Sequence, residues 1–276
     1  MSAEPPLEQR LLQVHVWPAL LVFFAAIPAA EQLPAAVPSE LKTLAGKLLI
    51  CVTYAVIWRW TFPRPLRSLQ EIVGQPMSYP AWRLVLLVNL ALFGLTIFNG
   101  VFGWRLSLMS IAPASEDRQQ AGWLLLAVSA ISMTVLAPAM EELLFRGVWF
   151  RRWRAGSGAT RAALGTSLIF GSLHEDVLVA TLFGLAMVAL YTRARSLWPC
   201  IVAHAINNGR VLVTQHFLSE KDLGAMLAAL IGDASEPTLA VIAVVFLVVL
   251  VVLPLWLGLF LWRSWRSLDA PISAAA

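Results

Sequence analysis

Two adjacent carboxylates and an arginine lie inside an otherwise apolar stretch of the chain. The motif occupies residues 138–147, within an apolar run from about 122 to 150. A charge at the centre of a membrane helix costs about 2.5–3.5 kcal/mol, so three charges require an explanation. On a helix, Glu142 precedes Arg146 by four residues, which is the favourable order for an ion pair. Glu141 points about 100° away and is left to face another group.

Two later apolar stretches each carry a histidine one helical turn from a second notable residue. Phe170 and His174 are four residues apart, as are His204 and Asn208, so each pair shares a helix face. Counting about 1.5 Å per residue from the flanking arginines puts these groups and Glu141 at similar depths, roughly 13–20 Å. The sequence therefore predicts that three helices deliver polar groups to one buried cavity open to the cytoplasm.

The composition is that of a membrane protein. Of the 276 residues, 59% are hydrophobic and 13% charged, and the mean hydropathy is +0.75, whereas soluble domains are about 45–50% apolar and about 25% charged. We predict an all-α polytopic fold in which about eight transmembrane helices surround a buried polar cavity, and the chain, 1–276, forms a single membrane domain. The apolar segments are approximately 14–30, 43–62, 84–104, 122–150, 161–174, 177–194, 197–217 and 238–262.

The basic residues indicate an orientation. With eight spans, most of the arginines and lysines fall on the side that holds both termini, so the positive-inside rule places both termini in the cytoplasm. The first 15 residues include Glu4, Glu8 and a single basic residue, Arg10, which argues against a cleaved signal peptide. Cys51 and Cys200 do not suggest a disulfide framework. The net charge is +4. Because the basic residues are distributed according to the sides of the membrane, this charge does not indicate a nucleic-acid partner.

The three motifs in this order resemble the CAAX protease and bacteriocin-processing family of intramembrane endopeptidases, the type II CAAX prenyl endopeptidase group. The resemblance covers about residues 122–217, which we take as the catalytic core. It implies an eight-span helical fold and peptide-bond hydrolysis in the membrane. It also implies that Glu141, His174, His204 and Asn208 are catalytic, and that Glu142 and Arg146 complete the first motif.

Peptide hydrolysis requires an activated water, an oxyanion site and a proton for the leaving amine. We expect Glu141 to act as general base and His174 to hold the same water. His204 and Asn208 are expected to donate hydrogen bonds to the oxyanion. Glu142 and Arg146 are expected to form a structural or substrate-positioning pair, with Phe170 as a neighbour in the second motif.

A zinc site is the alternative within enzymes, held by Glu141, His174 and His204. Because no His-Glu-x-x-His motif is present, we expect no cofactor and favour the metal-free mechanism. A different class is a non-proteolytic membrane scaffold, chaperone or immunity-type protein that uses the same polar cluster. The expected partners are the lipid bilayer and a membrane-embedded or membrane-associated peptide or protein substrate. An Ala- and Arg-rich composition favours a bacterial inner membrane.

Overall fold

The computed structural model describes residues 6–13, 21–22, 25–26, 29–30, 32–62, 65–102, 122–217, 236–266 and 268. The regular elements of this part of the chain are helices, without a strand, so the predicted all-α class is confirmed. The helices used below are α1 (Leu7–Leu12), α2 (Ser39–Thr61), α3 (Pro65–Val73), α4 (Tyr79–Phe102), α5 (Trp123–Ser157), α6 (Ala159–Ser172), α7 (Val177–Ala194), α8 (Trp198–Phe217) and α9, which runs through Glu236–Leu247, Val248–Val252 and Leu253–Trp265.

Five helical stretches in the described residues are long and apolar enough to cross a membrane. They are Ser39–Trp60, Tyr79–Ile97, Trp123–Ser157, Val177–Ala194 and Val248–Trp265. Helix α6 has only 14 residues, and α8 is less apolar because it carries His204, Asn207, Asn208 and Arg210. The predicted segment 14–30 lies mostly outside the described residues. The structure therefore shows an integral membrane bundle, and the count of eight spans stays a prediction.

Helix α5 is interrupted by two π-helical segments, one on each side of the two glutamates of the motif. Ser132–Leu136 and Leu143–Phe150 are π-helical, and Ala137–Glu142 between them is α-helical. Pro138 has no N–H to donate, so in the wider i→i+5 register the carbonyl of Met133 loses its donor within the helix. π-Helical turns occur frequently at functional sites. The motif therefore sits where the regular hydrogen bonding of α5 is already disturbed.

Helices α6 and α7 pack against each other through small residues. A Cβ atom on Gly184 would lie 2.9 Å from Cβ and 3.0 Å from Cα of Ser167. A Cβ on Gly171 would lie 2.1 Å from Oγ1 of Thr181. Small residues allow membrane helices to approach closely without a hydrophobic driving force between them. This close packing fixes the position of α7 beside the site described below.

One end of the bundle is held by charged side chains from α1, α3 and the last turns of α5. Arg10 donates to Ser68 over 2.8 Å and pairs with Glu71, and Arg151 donates to Glu8 over 2.6 Å. Burial raises the pKa of the Glu8 carboxyl, but the hydrogen bond and the charge of Arg151 outweigh it, and the pKa lies below its ordinary value. The contribution of ionised Glu8 to the stability of the fold is therefore present at neutral pH and is lost as the pH falls through that lowered pKa.

We expect Gly184→Ala to destabilise the bundle, since the new methyl group meets the backbone of Ser167. Overpacking of this kind costs about 1–3 kcal/mol, and a lower melting temperature of the purified protein would measure it. The matched control is Gly258→Ala on α9, where an added Cβ has no neighbour within 4 Å. That change should be neutral or gain up to about 1 kcal/mol from helix propensity. Equal melting temperatures for the two variants would contradict the close contact between α6 and α7.

Candidate active site

The buried carboxylate of Glu142 on α5 bonds to side chains of two helices, α5 itself and α8. Nη1 of Arg146 donates to its Oε1 over 3.0 Å, and Nδ1 of His204 on α8 lies 2.8 Å from the same oxygen. Nη2 of Arg146 also donates to the carbonyl of Gly184 on α7 over 3.1 Å. The side chains of Arg146 and Glu142 are 1% and 0% exposed. One carboxylate and one guanidinium thus join α5, α7 and α8.

Glu141, one residue earlier, points to a different group of side chains. Its Oε2 atom lies 3.9 Å from Nε2 of His174 and 3.8 Å from Nε2 of His204. The Glu141 side chain is 13% exposed, and Oε2 is buried without a hydrogen-bond partner in the described structure. Three groups that the sequence singled out therefore meet, with separations too long for direct hydrogen bonds and short enough for one bridging atom.

His174 reaches this position from the turn that follows α6, not from within the helix. Helix α6 ends at Ser172, yet Nδ1 of His174 lies 2.7 Å from the carbonyl oxygen of Phe170. The one-turn spacing predicted for the pair is therefore kept as a hydrogen bond at the helix end. The His174 side chain is 38% exposed. It is the most accessible of the three groups around Oε2 of Glu141.

The hydrogen bonds assign the neutral tautomer of both histidines. A carbonyl or carboxylate oxygen only accepts, so Nδ1 of His174 and Nδ1 of His204 each carry the proton. In the neutral form, Nε2 of each ring then has a lone pair directed at the Glu141 side. Three acceptor atoms consequently face one another. A proton donor must come between them, either a water molecule or a proton on one imidazole.

Aromatic rings enclose the two histidines. Phe170 stacks on His174 with ring centroids 4.3 Å apart, and the guanidinium of Arg146 lies 4.6 Å from the Phe170 centroid. Phe183 of α7 stacks on Phe170 at 5.8 Å and meets His204 edge-on at 4.9 Å. Sequence reasoning missed Phe183, because one phenylalanine in a uniformly apolar helix has no distinguishing signal. These rings limit water on one side of the site.

Asn208 has a different partner from the other predicted residues. Its Nδ2 donates to the carbonyl of Met133 over 2.9 Å, the carbonyl that Pro138 leaves without a donor in the π-helical register. One of the two N–H groups of the amide is used in this bond. The structure thus brings together Glu141, His174 and His204, and places Asn208 at the neighbouring π-helical turn.

The spacing of these groups also bears on the zinc alternative. In tetrahedral zinc sites with bond lengths of about 2.0–2.2 Å, neighbouring nitrogen and oxygen ligands lie roughly 3.3–3.6 Å apart. The separations of 3.8 and 3.9 Å around Oε2 of Glu141 are wider, and no group of three His, Cys, Asp or Glu side chains within the described ranges has metal-site geometry. As placed, these residues do not fit zinc.

Part of the chain is similar to known proteins. Residues 122–210 match the family model described as type II CAAX prenyl endopeptidase Rce1-like. Over that segment, the chain is similar to the Rce1-like family. The matched segment contains Glu141, His174, His204 and Asn208. The match supports a membrane peptidase at the family level.

A curated relative extends the comparison. The protein named "Putative membrane peptidase YdiL" from Bacillus subtilis (strain 168) is 32% identical over 88 residues, which are 31% of this chain and 36% of the relative. The chain thus spans about a third of the length of that relative. No solved structure matches it significantly.

We expect Glu142→Gln to lose stability before anything else, because Arg146 would become a buried charge without a counterion. Breaking a buried pair costs about 3–5 kcal/mol, which yield and melting temperature would report. Adding Arg146→Met to Glu142→Gln should recover part of that loss. The control is Arg67→Met, which removes the arginine of an exposed pair of the same spacing with Glu71 and should cost about 0–1 kcal/mol. Similar losses for Glu142→Gln and Arg67→Met would contradict a special role for the buried pair.

Proposed function

We propose that this protein is an intramembrane endopeptidase that hydrolyses a peptide bond of a membrane-embedded or membrane-associated protein or peptide. The observation that carries the proposal is the approach of Nε2 of His174 and Nε2 of His204 to Oε2 of Glu141 at 3.9 and 3.8 Å in a largely buried site. The match of residues 122–210 to a peptidase family model supports the reaction class.

In this proposal, a water molecule lies between Glu141 and His174. A water about 2.8 Å from Oε2 of Glu141 and from Nε2 of His174 would donate both of its protons, which satisfies two of the converging acceptors. Glu141 removes one proton as the water oxygen attacks the carbonyl carbon. Glu141 then returns that proton to the leaving amine nitrogen as the C–N bond breaks. The proton balance closes with one carboxylate acting first as base and then as acid.

His204 and Asn208 are proposed to stabilise the oxyanion. His204 can donate from Nε2 only as an imidazolium, and the Glu142 carboxylate at Nδ1 stabilises that cation. Asn208 has one N–H left after its bond to the Met133 carbonyl. Glu142, Arg146 and Phe170 then act as positioning residues. They hold the ring of His204 and the stack on His174 in place.

We also propose the setting of the reaction. The five membrane-length helices support an integral membrane protein, and we place both termini in the cytoplasm from the distribution of basic residues. The relative from a Bacillus strain is consistent with a bacterial inner membrane. The substrate would then approach His174, whose side chain is 38% exposed, from within or beside the bilayer.

The deciding variant is Glu141→Gln, which removes the base while preserving the shape of the side chain. We expect cleavage to fall by at least about 10²-fold with the melting temperature little changed. The measurement compares peptides released from membranes of cells that carry the wild type or the variant. Glu175→Gln is the control, since Glu175 is exposed and directly follows His174. A peptide profile of Glu141→Gln identical to that of the wild type would favour the scaffold or chaperone alternative.

Metal dependence has its own test. We expect the purified protein to retain its activity after exhaustive chelation, because general-base catalysis by Glu141 needs only the protein's own groups. The measurements are rate and elemental analysis before and after chelation. Stoichiometric zinc that is lost together with activity, and restores it when added back, would replace the metal-free mechanism with a site held by Glu141, His174 and His204.

A further inference from the structure

Helix α2 carries two polar residues that the proposed mechanism does not use. Lys47 and Tyr54 are seven residues apart and so lie on one face of the helix. Nζ of Lys47 donates to the carbonyl of Ser132 in α5 over 3.4 Å, and Lys47 is only 9% exposed. Both Lys47 and Tyr54 interact electrostatically with Glu141. This face of α2 is therefore directed at the catalytic part of α5.

The hydroxyl of Tyr54, like those of Ser132, Ser167 and Thr181, is buried without a hydrogen-bond partner in the described structure. Its ring packs against a small cluster that contains Ile50 and Met140, and Met140 directly precedes Glu141. A buried hydroxyl without a partner costs free energy that a phenylalanine would not. Buried polar groups are otherwise nearly always satisfied, so an exception calls for an explanation.

The oxyanion has two donors in the proposed mechanism, the imidazolium of His204 and the one N–H of Asn208 that is not bonded to Met133. A third donor would further stabilise the negative charge that the reaction places on the carbonyl oxygen of the substrate. A preorganised donor that is free before the reaction and bonded during it stabilises the transition state more than the ground state.

We propose that Tyr54 is a further catalytic residue whose hydroxyl donates a hydrogen bond to the scissile carbonyl oxygen as that oxygen becomes the oxyanion. The phenol keeps its proton throughout, so no bond of Tyr54 forms or breaks. The ammonium of Lys47, held by the Ser132 carbonyl, adds positive potential on the same side. This inference rests on the proposed peptidase activity and assigns a fourth helix, α2, to the active site.

A purely structural role for Tyr54 makes the opposite forecast for stability. If the hydroxyl only filled space or bonded to another group, its removal would lower the melting temperature. If the hydroxyl has no partner until the substrate binds, Tyr54→Phe removes a desolvated polar group and preserves the packing of the ring. The variant should then melt at the same or a higher temperature while catalysing more slowly, the trade-off expected of a functional polar group.

The chain has three tyrosines, which supply matched hydroxyl deletions. Tyr79 is 75% exposed, so Tyr79→Phe should change neither rate nor stability. Tyr191 is fully buried and accepts a hydrogen bond from Nη1 of Arg151 over 3.3 Å. Tyr191→Phe should therefore lower the melting temperature and leave kcat unchanged. Only Tyr54→Phe should lower kcat without lowering stability.

The experiment uses the full chain in detergent micelles and an internally quenched, mixed-sequence peptide library, from which the fastest-cleaved peptide is taken for kinetics. For Tyr54→Phe we expect kcat to fall about 10²–10³-fold, and KM to stay within about threefold because the donor acts chiefly in the transition state. The melting temperatures of all three variants are measured in the same micelles.

The outcomes separate this inference from the proposed function. If Glu141→Gln is inactive and Tyr54→Phe keeps a kcat within about twofold of the wild type, the proposal for Tyr54 is wrong and the peptidase proposal stands. A Tyr54→Phe variant that is slow but melts well below the wild type overturns the proposal too, in favour of a structural role. If the wild type cleaves no peptide that Glu141→Gln leaves intact, the proposed function and the role of Tyr54 fail together.

Discussion

The arrangement of the site depends on one buried carboxylate with two partners. Glu142 takes a hydrogen bond from Arg146 of its own helix and from His204 of α8, both at Oε1. Taking a carboxylate and a guanidinium out of water is expensive, and the cost is recovered only when the remaining donors are also satisfied. Arg146 bonds the Gly184 carbonyl and lies over Phe170, but Oε2 of Glu142 is buried without a hydrogen-bond partner in the described structure. The ion pair therefore contributes less to the stability of the fold than to the relative positions of α5, α7 and α8.

The position of Glu142 also determines the chemistry of its neighbour, Glu141. Because Nδ1 of His204 is committed to Glu142, only Nε2 can face Glu141, and the Phe170 carbonyl imposes the same choice on His174. The two adjacent acids therefore have opposite surroundings. Glu142 is paired on Oε1 with a cation and an imidazole, whereas Oε2 of Glu141 faces Nε2 of His174 and Nε2 of His204 without a direct hydrogen bond. A cluster so rich in acceptors is suited to hold water and to take up a proton.

Much of this arrangement could be predicted from residue types and spacing. A glutamate four residues before an arginine in an apolar helix indicates an ion pair on one face, and that pair is present between Glu142 and Arg146. The similar depths of Glu141, His174 and His204 indicated a shared cavity, and their side chains do meet. Hydropathy also predicted the helical class, although α6 and α8 fall short of the length or apolarity of an ordinary span.

Other parts could not be predicted, for physical reasons that concern particular residues. The bond from Asn208 to Met133 depends on a π-helical register, which hydrophobic periodicity does not reveal. The contacts of Lys47 with Ser132 and of Tyr54 with the cluster that contains Met140 depend on how α2 packs against α5, and no local signal in α2 indicates its partner. The second bond of Glu142, to His204, depends on a side-chain rotamer and on the position of another helix.

The two π-helical segments of α5 also make the site sensitive to length as well as to residue type. Ala137–Glu142 is a short α-helical section whose rotation about the axis is determined by the number of residues in the wider turns on either side. Each residue of an α-helix advances by about 100°. Deleting one residue from Ser132–Leu136 would therefore turn the face of Glu141 towards a different neighbour, with every side chain of the motif intact. The number of residues in α5 therefore sets the direction in which Glu141 points, and the acid can act only when it points towards the two histidines.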